Sequence, residues 1–187
     1  MNNKKTLLSL ISLFFIYFVS YSQKSLSVNT DSLNSNLLET LIKLKIDSVR
    51  KIHNKKTLTI NDTLKKSAQD QAMYIKKLKK LSHFQTINSD KKTVDRRVAF
   101  YGLKNTIVAE NIAYTFVFKT IKDKRGKEYI NTTYKQIAND FVTGWVNSSG
   151  HYKNLINEEY SLTGVAVSFD KANKKIYAVQ VFSSENN

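Results

Sequence analysis

Between positions 134 and 145 the apolar residues Tyr134, Ile137, Ala138, Phe141, Val142 and Trp145 recur at steps of three and four, the spacing of one helical face. Gly144 costs such a helix about 1 kcal/mol in its interior, which suggests a tight contact or an approaching end. Asn147, Ser148, Ser149 and Gly150 form a run of turn residues. The helix is therefore expected to stop there, turn on Gly150 and present His151 from its end.

The same spacing predicts two earlier helices. Leu38, Ile42, Ile46 and Val49 share one face, with Asn36 and Glu39 in the positions of a capping box. Leu64, Ala68, Ala72, Ile75 and Leu78 share another, opened by Asp62 or Thr63, and its two alanines would allow close packing. That helix gives out near Ser82-His83-Phe84. Leu58 and Ile60 alternate with threonines, a short extended piece. A short helix is expected from Thr93 to Tyr101, stopped by Gly102, with one of Arg96 and Arg97 free to turn inward toward a carboxylate. Thr163–Asp170 and Lys175–Phe182 alternate with period two around a polar connection, a β-hairpin. Gln180 interrupts its apolar run and should meet something polar. Lys119–Thr133 is charged and reads as an exposed excursion.

Ile107–Phe118 is mostly apolar, and Glu110-Asn111 interrupts it. A carboxylate in such a stretch is costly unless it is paired, hydrogen-bonded or bound to a metal. One reading is a glutamate held by backbone N–H groups to fix a loop; another is a functional carboxylate.

The ends and the charge bound the setting. Lys4 and Lys5 precede an apolar run from Leu7 to Val19, and Ser20-Tyr21-Ser22 supplies small residues at cleavage spacing. This is the pattern of a secretory signal peptide over 1–22, with Gln23 opening the mature chain. The apolar run is shorter than the ~20 residues of a membrane-spanning helix, so no transmembrane anchor is expected after cleavage. Residues 23–36 read as a linker and 37–185 as one domain, long enough for a real core. There is no cysteine, so neither a lipoprotein anchor nor a disulfide is available. Removing Lys4 and Lys5 takes the formal charge from +15 to +13. The lysines are scattered, densest at Lys76-Lys77-Leu78-Lys79-Lys80, and no nucleic-acid motif accompanies them. That run reads as a solvated helix face. The charge favours an anionic cell-surface polymer or lipid headgroup over nucleic acid as a partner.

The polar residues gain weight from their order. Ser82-His83-Phe84, Arg97 and Gly102 are followed by Ala109-Glu110-Asn111-Ile112-Ala113. Trp145, Ser148, Gly150-His151 and Asn154 come next, then Gly164-Val165-Ala166 and Gln180-x-Phe182. Asp47-Ser48-Val49-Arg50 adds an Asn-x-x-Arg-like element with Asp in place of Asn. The series resembles the CAP superfamily, the SCP-type domains of cysteine-rich secretory proteins and their bacterial relatives, over about Leu37–Ser183. The resemblance implies an α+β fold, a three-layer α-β-α sandwich with a central cleft and a C-terminal β-hairpin. It matches His83, Glu110 and His151 to the family's cleft residues, and Asn111, Trp145, Ser148, Asn154 and Gln180 to cleft-lining or structural positions. Two imidazoles and a carboxylate are suitable ligands for Zn²⁺ or another divalent cation. Ala109 and Ser149 stand where relatives often have Gly and Pro. Ser148 stands where many eukaryotic members carry a second cleft Glu, which leaves a thinner His-Glu-His site.

These observations support a secreted binding module, extracellular or periplasmic, as the leading expectation. A metal-assisted hydrolase with Glu110 as general base is one alternative. Charge-driven adhesion to anionic surface polymers is the other.

Overall fold

The computed structural model describes residues 27–185; the segment read as a signal peptide lies outside the described residues. The elements run α1 (Ser35–Ile52), β1 (Thr59–Ile60), α2 (Asp62–Leu78), a 3₁₀ turn (Ser89–Lys91), α3 (Val94–Phe100) and β2 (Val108–Phe116). After these come β3 (Thr120–Lys122), β4 (Glu128–Ile130), α4 (Tyr134–Val146), α5 (Ser149–Ile156), β5 (Leu162–Asp170) and β6 (Lys175–Ser183). The main sheet has the order β1-β5-β6-β2. β6 is antiparallel to both neighbours, and only the short β1 runs parallel to β5.

Side chains alternate across this sheet and so feed two cores. Val165, Val167, Ile176, Ala178 and Phe182 face α1, α4 and α5, where they meet Leu38, Ile42, Ile46, Ile137, Phe141 and Trp145. Ala166, Tyr177, Val179 and Val181 face α2 and α3, where they meet Leu64, Ala68, Ala72, Ile75 and Val98. The result is the expected α-β-α sandwich, closed by the expected β5–β6 hairpin.

Local chemistry adjusts several boundaries. The cap of α1 is Asn34, whose side chain accepts from the Leu37 N–H. Asn36 is not the cap, because Glu39 is buried and turned away, its carboxylate accepting from the Val167 N–H. The segment before α1, read as a linker, is irregular but attached: Val28 is buried and its N–H donates to Thr132 O. Leu78 closes α2 but is 46% exposed, so the apolar stripe ends at Ile75. Gly102, at φ 108°, terminates the α3 turn as expected. Arg50, in the Asp-Ser-Val-Arg element, is fully buried. It donates to the carbonyls of Lys56, Leu155, Asn157 and Tyr160, tying the end of α1 to the carbonyls at and beyond the end of α5.

The charged excursion is folded. Asp123 Oδ1 accepts from the Arg125 and Lys127 N–H groups, and Gly126 at φ 80° completes a tight turn between β3 and β4. At the base of this hairpin, Asp140 of α4 accepts from Thr115 Oγ1, Tyr129 OH and Asn131 Nδ2. Near its tip, Lys124 Nζ donates to Asn147 O. The hairpin therefore lies along α4 and is held at both ends.

Burial raises the Tyr129 phenol above its ordinary range, and its hydrogen bond to Asp140 adds to this. Its folded pKa thus exceeds the unfolded value near 10. The stability this group contributes is fully present below pH 10 and is lost as pH rises above it. Tyr129→Phe is expected to cost about 1 kcal/mol at neutral pH. In urea melts at increasing pH, its deficit against wild type should shrink above pH 10. A deficit that stays constant would show that the phenol does not anchor the hairpin.

Candidate functional site

Glu110 and Asn111 are consecutive on β2 and so point to opposite faces of the sheet. This one dipeptide organises both sides of the candidate cleft. Glu110 turns toward α3, where its side chain is 1% exposed. Its Oε2 lies 2.6 Å from Arg97 Nη2 and its Oε1 lies 2.9 Å from His83 Nδ1. An ionised carboxylate only accepts, so His83 donates to it through Nδ1–H. Arg97 is fully buried, and its Nη1 also donates to the carbonyls of His83 and Lys91. It therefore fixes both the carboxylate and the backbone that carries His83. Of the two arginines on α3, Arg97 is the one that turns inward. Glu110 is paired with a cation, which settles the cost of burying it; backbone N–H groups do not hold it.

Asn111 turns to the other face. Its Nδ2 donates to His151 O, and its Oδ1 accepts from Asn154 Nδ2. Asn111 is fully buried and Asn154 half-buried, so these bonds position α5 beside the strand. His151 does not sit on a turn. The turn residues split into a helix end at Asn147 and a helix start at Ser148, which is the N-cap of α5 and makes no side-chain cap bond. His151 lies in the first turn of α5 and is partly buried. Burial lowers its pKa, and the proximity of His83 lowers it further. The two imidazoles are therefore near neighbours, and the surroundings of His151 disfavour its charged form.

The remaining expected residues divide cleanly. Trp145 is a core residue at 1% exposure, stacked obliquely on Phe141. Gln180 is fully buried in β6 beside Asn111, and its Nε2 donates to Thr163 Oγ1. Both side chains are buried in the interior. Ser148, matched to a cleft position, is half-buried at the start of α5. His53 meets Tyr152 OH at 3.0 Å and links the end of α1 to α5. Arg97 is the residue whose importance sequence reading understated. Its signal was an arginine spaced one turn from a helix start in a chain with one unexplained apolar-flanked glutamate.

The donor set can be tested against a metal. Among the described residues no group of three or more His, Cys, Asp or Glu side chains is gathered to hold an ion. Glu110, expected as the third ligand, spends its two oxygens on Arg97 and His83. Glu110 stands behind His83, in the carboxylate–histidine arrangement that orients a metal ligand from outside.

A family model described as the cysteine-rich secretory protein family matches residues 45–182. An outer surface protein of Borrelia burgdorferi is similar at TM-score 0.60 and 21% identity, over 78% of this chain and 90% of that one. An extracellular SCP-domain protein of Bacillus anthracis is similar at TM-score 0.61 and 22% identity, over 81% of this chain and 41% of that one. A cysteine-rich secretory protein of Staphylococcus aureus gives TM-score 0.56 and 17% identity, over 81% and 40%. The chain thus spans about two fifths of the latter two. No curated protein matches the sequence significantly. Among the described residues no helix is long and apolar enough to cross a membrane.

Proposed function

Because the chain belongs to the cysteine-rich secretory protein (CAP) family, we propose that it is a secreted binding module, extracellular or periplasmic. Its cleft between His83 and His151 would take a small ligand or a divalent cation. The observation that carries this reading is the chain of contacts from Arg97 to Glu110 to His83, beside a second, partly buried imidazole on α5. Arg97 locks Glu110, Glu110 orients His83, and Asn111 sets the height of α5 and hence of His151. A Zn²⁺ ion there would supply Lewis acidity to a bound ligand or water.

The hydrolytic alternative gains nothing from this geometry. A general base needs an oxygen aimed at the reacting proton. Both oxygens of Glu110 already accept from cationic or N–H donors, so the residue serves as a positioning group.

Zn²⁺ titration calorimetry on the purified protein tests the proposal. Saturable binding is expected, lost in a folded His83→Ala/His151→Ala variant. Glu110→Gln is expected to weaken it by about 10-fold without abolishing it, as loss of an outer-shell partner does. Equal heats from wild type and the double variant would remove the metal from this cleft. Loss of binding in Glu110→Gln as complete as in the double variant would make Glu110 a direct ligand.

A further inference from the structure

Away from the cleft, the β3–β4 hairpin and α4 enclose a groove of about 660 Å³. Its floor is the polar face of α4. Gln136, Asn139, Asp140, Thr143 and Asn147 fall at i, i+3, i+4, i+7 and i+11, directly opposite the apolar stripe that enters the core. Gly144 completes this face, and a Cβ built there would meet nothing within 4 Å. The glycine therefore leaves the floor open. The rim is cationic, with Lys45, Lys122, Lys124, Arg125, Lys127 and Lys135. Against these six stand two lining carboxylates. Asp123 is turned into its own hairpin turn and Asp140 into the Thr115–Tyr129–Asn131 cluster. Neither is directed at a ligand. Lys122 is offset by Glu128 at 3.1 Å on the outer strand. The Arg125 contact to Asp123 is a long 3.7 Å, and the arginine side chain is 89% exposed.

A solvated charged loop needs none of this construction. Here the cations are carried on a hairpin pinned to α4 at Asp140 and again at Asn147, so their spacing relative to the amide floor is fixed. The floor offers amide and hydroxyl groups that both donate and accept, which is the chemistry that recognises sugar hydroxyls. The rim offers point charges and one guanidinium, which suit sulfate, phosphate or carboxylate groups. The groove is concave, whereas an anionic bilayer would need a projecting or flat basic face.

We propose that the groove between the β3–β4 hairpin and α4 binds an anionic oligosaccharide, its hydroxyls on Asn139, Thr143 and Asn147 and its acidic groups on Lys124, Arg125 and Lys127. This site is separate from the His83–His151 cleft and does not depend on it.

The test is a set of binding titrations with a dextran sulfate oligosaccharide, a polygalacturonate oligomer, neutral dextran and phosphatidylglycerol vesicles. Three variants of the purified protein are compared with wild type. Arg125→Ala/Lys127→Ala/Lys135→Ala strips the rim while keeping the Lys124 contact to Asn147, Asn139→Ala/Thr143→Ala alters the floor at unchanged charge, and Lys66→Ala/Lys77→Ala/Lys80→Ala removes the same charge from α2 and its end. All these side chains are exposed, so unchanged circular dichroism is expected. The rim variant should bind the acidic sugars about tenfold more weakly, with a reduced salt dependence. The floor variant should lose severalfold at constant salt, and the α2 variant should bind like wild type. Neutral dextran should not bind. Equal losses in the rim and α2 variants would reduce the effect to overall charge and overturn the proposal. So would a floor variant identical to wild type, or vesicle binding without sugar binding.

Discussion

Gly164→Ala is expected to lower the thermal unfolding midpoint by roughly 10 °C, or about 3 kcal/mol. Gly164 lies in β5 opposite Val181, on the sheet face that receives α2. A Cβ there would fall 2.2 Å from Leu64 C and Lys65 N and 2.6 Å from Leu64 O. These are backbone atoms of the first turn of α2, so no side chain can swing aside. The helix must lift from the sheet, and with it the small-residue contact of Ala68 and Ala72 near Ala166. The same substitution at Gly144 should have the opposite sign. A methyl group there meets nothing, and Ala is the better helix former by up to about 1 kcal/mol. The two variants share one chemical change, so paired calorimetric melts separate close approach from glycine flexibility. A Gly164→Ala midpoint within about 2 °C of wild type would show that α2 does not seat on the β5 backbone.

Breaking the cleft ion pair from one side should be nearly as damaging. Arg97→Met leaves the Glu110 carboxylate buried with only His83 beside it, and removal of one partner of a buried pair costs about 3–5 kcal/mol. It also releases the carbonyls of His83 and Lys91. The double variant Arg97→Met/Glu110→Leu removes the stranded charge, so urea unfolding should show it more stable than Arg97→Met alone. It should not reach wild type, because the two carbonyls stay unsatisfied at about 1 kcal/mol each. Strictly additive losses in the double variant would mean that the pair carries no coupling. A loss below about 1 kcal/mol in Arg97→Met would mean the guanidinium is not what permits Glu110 to be buried.

Much of this architecture is legible in the sequence because two periodicities report it directly. The stripes at 38–49, 64–75 and 134–145 and the alternation at 163–182 mark surfaces that must be buried, and they are, Val49 only in part. The order of His83, Glu110 and His151 carries the family resemblance. What is not legible comes from residues whose preferences serve two structures. Asn147 and Ser148 favour a turn, but the same chemistry ends one helix and starts the next, so His151 moves from a loop to a helix. Asn34 and Asn36 are equally good caps in isolation, and only the burial of Glu39 against Val167 chooses between them. The hairpin at 120–130 is masked by its charge, although Thr120-Ile121-Lys122 and Glu128-Tyr129-Ile130 flank a turn closed by Gly126. Leu78 belongs to the stripe by spacing and leaves it because the sheet ends before the helix does. Pairing between Arg97 and Glu110 is a tertiary fact. Either arginine of α3 satisfied the local pattern.

The placement of Glu110 and Asn111 on β2 also bears on the order of assembly. β2 pairs Val108 with Ser183 and Asn111 with Gln180, and β5 pairs with β1 through Thr59 and Leu162. These are contacts between distant parts of the chain, which close slowly and late compared with the formation of α1, α2 or α4. Neither histidine reaches its partner group until β2 has docked on β6 in the correct register. A ligand of the cleft therefore has nothing to recognise in a partly folded chain. Its binding energy would add in full to the global unfolding free energy and would slow unfolding without hastening folding.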